Sequence, residues 1–218
     1  MKHIVLVIVT LISVHVFGQG SMVLNDKPFL AQRKVDTSIS NPLQRQALFN
    51  SLTRSGKELV YWVNLMRKDP KGFGNQYIAP FLEQFPEANS RDSKALMARL
   101  AETRPLAQLT LSATLVRTSQ DHAAYLAEKG MISHTGRGGK SFVRRMNEAG
   151  ITECAGENIF DGQDDALMVL ILLLIDRGVP GAGHREALLN PDFNSIGIGV
   201  APMEPKRMVF VQQFGCQL

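Results

Sequence analysis

Four side chains in the second half of the chain are of the types from which reactive centres are built. They are His134 in SHTG, Glu157 in AGENIF, Asp176 at the end of ALMVLILLLID, and His184 in GAGHREALLNP. Two imidazoles with two carboxylates can hold a borderline divalent ion such as zinc and leave positions open for water. The same groups can move protons without a metal. Neither acid stands where ordinary packing wants one. A carboxylate at a helix C-terminus faces the negative end of the dipole and needs a cation or a metal to offset it. An acid inside a short apolar strand needs a partner once buried. Both histidines sit beside glycines in connections, which read as exposed, flexible joints of the kind where sites concentrate. Glu157 and His184 are the candidates for catalysis, and His134, Glu157, Asp176 and His184 for metal ligation. The spacing is not a compact motif such as HExxH, so four unrelated polar residues remain the alternative.

Other polar residues read more plainly. His122 shares a helical stripe with Leu115 and Leu126 and is expected to be a packed, structural histidine. Arg144 and Arg145 are expected on a solvated helix face rather than at an anion site. There is no GxSxG elbow, neither cysteine lies in a nucleophile motif, and no phosphate-binding or dinucleotide fingerprint occurs. The formal charge of +4 falls to +3 once Lys2 is removed, too little and too dispersed for a nucleic-acid surface.

Residues 1–18, with one Lys ahead of an apolar run and Val16-Phe17-Gly18 before Gln19, read as a secretory leader. A membrane anchor wants about 20 apolar residues, and Ser13 and His15 interrupt this run, so no membrane span is expected after leader removal. The protein is expected outside the cell or at its envelope. Cys154 and Cys216 both lie in the exported part, where a bridge is permitted but not required. Residues 19–40 read as a flexible segment, and 41–218 as one domain.

Within that domain helical spacing runs from Asn41 to Asp69 and again from Phe73 to Phe85. A polar connection is expected from Pro86 to Pro105 and beyond. Ser112 caps a helix through Lys129, Ser141 starts a short one, and Asp164-Asp165 begin an apolar helix of ten residues, too short to span a bilayer and so a core helix. Strands are expected at 155–160, 195–201 and 208–214. Helices come early and strands late, which predicts an α+β class. The glycines of IGIG predict close approach by another element.

The order SHTG, FVRRMNEAG, AGENI, LLID, GAGHREALLNPDFNSIGIGV and VFVQQFG resembles the CAP superfamily of SCP-like extracellular domains, in its bacterial secreted form. The resemblance covers about residues 50–216. It implies a three-layer α-β-α sandwich with a central antiparallel sheet, and a cleft carrying His134, Glu157, His184 and, less closely, Asp176. The family's Trp-Tyr-x-Glu pattern reads Leu173-Leu174-Ile175-Asp176 here. The resemblance further implies a bound zinc or magnesium and a lipid, sterol, glycan or peptide in the cleft. Two other functions fit the same residues. One is a metal-assisted, peptidase-like hydrolase with Glu157 as base; the other is an extracellular interaction protein with a vestigial cleft.

Overall fold

The computed structural model describes residues 14–16, 27–204 and 206–216. A short strand β1 (Val14–Val16) comes first, then the helices α1 (Thr37–Gln44), α2 (Ala47–Ser51), α3 (Arg54–Lys68), α4 (Pro70–Phe73), α5 (Ala79–Gln84) and α6 (Arg91–Glu102). The second half carries β2 (Thr110–Leu111), α7 (Ala113–Lys129), α8 (Phe142–Glu148) and β3 (Ala155–Gly162). It continues with α9 (Ala166–Ile175), α10 (Gly183–Leu189), β4 (Ser195–Met203) and β5 (Arg207–Gly215). The strands form one sheet in the order β1-β3-β5-β4-β2. The three long strands β3, β5 and β4 are antiparallel, and the short edge strands β1 and β2 pair parallel. The expected α+β sandwich with a central antiparallel sheet is the observed architecture.

The two faces of the sheet are covered differently. One face carries α7, and the other carries α3, α9 and α10. Alternation along each strand divides the side chains between them. Ile159, Val209 and Val211 pack with Ala123 and Leu126 of α7. Ile196, Ile198, Phe210 and Phe214 join the larger core with α3 and α9. The closeness of α7 explains the glycines of β4. A Cβ on Gly197 would stand 2.0 Å from the Leu115 carbonyl carbon, and one on Gly199 would stand 2.1 Å from the Ser119 oxygen. The backbone of α7 therefore rests directly on the strand, as IGIG predicts.

Helix boundaries follow local chemistry. The Ser112 hydroxyl accepts from Leu115 N, and Gly130, at φ 62°, ends α7 in the left-handed conformation that glycine adopts without steric cost. Asp165 caps α9 by accepting from Leu167 N and Met168 N. The apolar helix α9 is buried nearly all round, as a core helix should be. No single helix among the described residues is long and apolar enough to cross a membrane.

Two stretches differ from expectation. The predicted flexible segment is packed over its described part, with the Phe29 ring edge-on to Phe81 and Phe85, and α1 begins at Thr37. One aromatic anchor and an Asp36 cap outweigh the lack of periodicity that suggested a linker. The polar connection contains α6, started by a Ser90–Ser93 capping box, with Leu96 and Leu100 as the buried apolar residues that give it so weak a helical pattern. Most of the proposed leader, including the cleavage point after residue 18, lies outside the described residues.

Arg67 joins distant parts of the chain. Fully buried, it donates to the carbonyls of Ala107, Leu188, Asn190 and Phe193 at 2.9 to 3.1 Å. Burial lowers its pKa to about 10, so it stays charged at neutral pH. Cys154 and Cys216 form a disulfide that ties the start of β3 to the end of β5 across 62 residues. Closing such a loop stabilises by roughly 4 kcal/mol in the chain-entropy model.

Two stability measurements check this account. Gly199→Ala should lower the urea-derived stability by roughly 1–3 kcal/mol or more, since a methyl group there displaces helix backbone. Reduction of the disulfide should cost roughly 2–5 kcal/mol, and intact mass under non-reducing alkylation should show no free thiol.

Candidate functional site

Glu157 has no exposed surface, and every hydrogen bond made by its carboxylate is to a charged or polar side chain. Its Oε1 accepts from His134 Nδ1 at 2.9 Å and from Arg145 Nη2 at 2.8 Å. Its Oε2 accepts from the same Arg145 nitrogen at 2.8 Å and from Gln213 Nε2 at 2.8 Å. Gln213, in direct register with Glu157 on β5, accepts in turn from Thr118 Oγ1 of α7 at 2.6 Å. Arg145 Nη2 also donates to the His134 carbonyl at 3.1 Å, which holds the SHTG loop against α8. Burial alone would raise the Glu157 carboxyl, but the His134 hydrogen bond, with the Arg145 guanidinium nearby, more than offsets it. The group is held below its ordinary value and stays ionised.

His122 completes this side, with its Nε2 3.9 Å from Glu157 Oε1. Burial lowers its pKa, against the opposing pull of Glu157, so the ring is neutral near pH 7. Nε2 donates to the Ser133 carbonyl at 2.9 Å, which leaves Nδ1 as an acceptor. Among the described residues that Nδ1 has no hydrogen-bond partner, and neither do Arg145 Nε and Nη1, although all three atoms are buried. His122 and Arg145 both line a groove of about 690 Å³ between α7, the glycine loop and α8.

Asp176 and His184 form a separate pair. His184 Nδ1 donates to Asp176 Oδ1 at 2.6 Å, and the His184 and Arg185 backbone N–H groups donate to Oδ2 at 2.7 and 3.2 Å. Asp176 takes a left-handed conformation, φ 54°, as it ends α9. The compensation that a carboxylate requires at this helix terminus thus comes from the first residues of α10. Arg185 completes the junction by donating to the Leu174 and Ile175 carbonyls at 2.7 Å, which satisfies acceptors at the end of α9. His184 is buried, not at an exposed joint, though Gly181, at φ 76°, does make the tight turn before it.

These two pairs lie on opposite faces of the sheet. Consecutive strand residues point to opposite sides. Glu157 faces α7, while Asn158 faces α10 and donates to the His184 carbonyl at 3.2 Å. The single four-residue centre expected from the sequence is therefore resolved into two pairs, His134–Glu157 and His184–Asp176. The catalytic candidates Glu157 and His184 fall on different sides. The donor set also does not suit a shared divalent ion. Both Glu157 oxygens and both Asp176 oxygens are already engaged by N–H donors. Among the described residues no group of three or more His, Cys, Asp or Glu side chains is arranged to hold a metal.

Arg145, expected on a solvated face, His122, expected to be structural, and Gln213, given no role by the sequence, complete this cluster. Helical phase was the available signal for Arg145: it lies three residues from Phe142 and next to Met146, both buried, whereas Arg144 points outward. Strand alternation was the signal for Gln213, the polar member of the series Val209, Val211, Gln213.

Three measurements follow. Arg145→Gln leaves a buried carboxylate without its guanidinium and should cost about 3–5 kcal/mol, whereas Arg144→Gln, on an exposed pair, should change stability by less than about 0.5 kcal/mol. Since His122 is depressed below 6.5 and Glu157 below 4.5, the unfolded chain binds protons first on acidification. Stability should be full at neutral pH and fall as pH drops below about 6.5, then again below about 4.5; His122→Gln should flatten the first fall in a melting-temperature series. Adding zinc should leave the melting temperature unchanged, and a stoichiometric ion with a thermal shift would show that the pairs open to share it.

No curated protein matches the chain. Among solved structures it is similar to an extracellular protein containing an SCP domain from Bacillus anthracis str. Ames, at 23% identity and TM-score 0.43, over 51% of this chain and 35% of that one. It is similar to an outer surface protein from Borrelia burgdorferi at 25% identity and TM-score 0.45, over 59% of this chain and 95% of that one. It is also similar to the CAP domain of enterococcal PrgA at 15% identity and TM-score 0.36, over 89% and 84%. A family model matches residues 62–214, well over half of the 218-residue chain, and the chain therefore belongs to the CAP, or cysteine-rich secretory protein, family.

Proposed function

We propose that this CAP-domain chain is an exported binding module, that its ligand is a glycan, and that the glycan lies in the groove beside α7 and α8. The leader-like residues 1–18, the disulfide and the secretory character of the family support export. The lining of the groove carries the choice of ligand. Arg117, Thr118, Asp121, Arg137, Lys140 and Glu148 place charges and a hydroxyl along its walls. Sugar hydroxyls exchange donors and acceptors with such a lining, whereas a sterol or acyl chain would strip these polar groups of water without offering them hydrogen bonds.

The hydrolytic reading is less well supported. A general base works best with a pKa near the operating pH. Glu157 is held low and is engaged by Arg145, His134 and Gln213. It orders the loop and α8 rather than standing ready to take a proton.

Affinity capture on soluble polysaccharides, run beside extraction of sterol and phosphatidylcholine from vesicles, tests the proposal. Retention on polysaccharide without lipid extraction is expected. Extraction of sterol or lipid with no retention would overturn it.

A further inference from the structure

The helix α3 lies on the face of the sheet opposite α7, and the extended segment ahead of α1 runs beside its first turns. Between them is an open groove of about 330 Å³ that shares no residue with the glycan groove. The segment is pinned in place. The Tyr61 hydroxyl of α3 accepts from Asp36 N at 2.8 Å and donates to the Lys34 carbonyl at 3.3 Å. Lys68 Nζ, also on α3, donates to the Asp36 carboxylate at 2.7 Å. Both sides of the groove are thus set before a ligand arrives, which reduces the ordering that binding costs.

The apolar part of the lining is Phe49, Tyr61, Trp62 and Val35, the last 69% exposed. The charged part is four cations, Arg33 and Lys34 from the segment and Arg54 and Lys57 from α3, against one acid, Glu58. Two of these cations are answered within the chain, Arg33 by Asp165 at 2.6 Å and Arg54 by Glu58 at 2.9 Å. Lys34 and Lys57 have no ion pair among the described residues, although Lys57 is half-buried. Arg54 and Lys57 also occupy the first turn of α3, where a helix favours anions, and that turn holds no acid. An anion from outside the chain would meet both needs.

We propose that this groove binds an acidic peptide segment of another protein. One large apolar side chain of the segment covers Val35, Phe49 and Tyr61, and carboxylates on either side of it meet Lys34 and Lys57. Other anions match the lining less well. A fatty acid carries one carboxylate at one end and serves one lysine. A polyphosphate has charge throughout and nothing to place against the aromatic rings. Exposed ion pairs contribute little each, so the apolar residue supplies most of the affinity. The carboxylates supply selection and make binding sensitive to salt.

Fluorescence anisotropy of the full exported chain with a dye-labelled pentapeptide, one phenylalanine between two pairs of glutamates, tests this. It should bind at least tenfold tighter than the same peptide with glutamines for glutamates, or with glycine for phenylalanine. Added salt should weaken it. The double variant Lys34→Gln with Lys57→Gln should weaken it at least tenfold while the melting temperature stays unchanged, since neither lysine is in an ion pair. Equal binding of the glycine peptide, or displacement by a lower concentration of inorganic polyphosphate, would assign the groove to polyanions and overturn the proposal. Tight binding retained in the double variant would place the peptide elsewhere and overturn this site. Binding of no peptide would overturn it as well. So would a dimer in sedimentation that the double variant dissociates, because the groove would then cover a second copy. None of these outcomes bears on polysaccharide retention, which tests the other groove.

Discussion

Adjacent residues of a strand cannot serve the same side of a sheet, and this constraint organises the molecule's chemistry. On β3 it sends Glu157 toward α7 and Asn158 toward α10. On β5 it sends Gln213 and Gln212 to the same two sides in turn. The antiparallel register then pairs Glu157 with Gln213 and Asn158 with Gln212, so each face receives one polar rung within an otherwise apolar sheet. On the α7 side the rung recruits Arg145, His134 and His122 and meets a groove. On the other side it meets the junction of α9 and α10, where Asp176 and His184 are joined. The first side borders solvent through that groove. The second holds two helices at a fixed angle.

Much of the architecture was legible in the sequence because it rests on local chemistry. Ser112 and Gly130 bracket α7, Asp165 starts α9, and the alternation of Ile with Gly in β4 announced a helix lying directly on the strand. What escaped was tertiary. Nothing local marks Phe29 as an anchor, since its value comes from Phe81 and Phe85 more than 50 residues away. The site was half legible. His134 and Glu157 do meet, and so do Asp176 and His184, but a list of reactive residues does not encode sides of a sheet. The pairing of adjacent arginines is similar: Arg144 is solvated as expected, whereas Arg145, one residue on and about 100° around the helix, is drawn inward by a carboxylate from a distant strand.

The two pairs also illustrate what a buried acid demands. Each carboxylate is held by a histidine, and each has further N–H donors on its remaining lone pairs. Once those demands are met, little capacity remains for a shared ion. The fold provides both acids with complete polar surroundings of their own, and the residual hydrogen-bonding capacity lies on the basic partners instead.

Arg67 carries a consequence for when the protein can take shape. Its cation sits on α3, yet three of its four acceptors, Leu188, Asn190 and Phe193, are in the last fifth of the chain. While the chain is being made, that guanidinium has no place to be buried until the final segments emerge. The amino-terminal helices cannot close over their own core in advance, so folding waits for a nearly complete polypeptide.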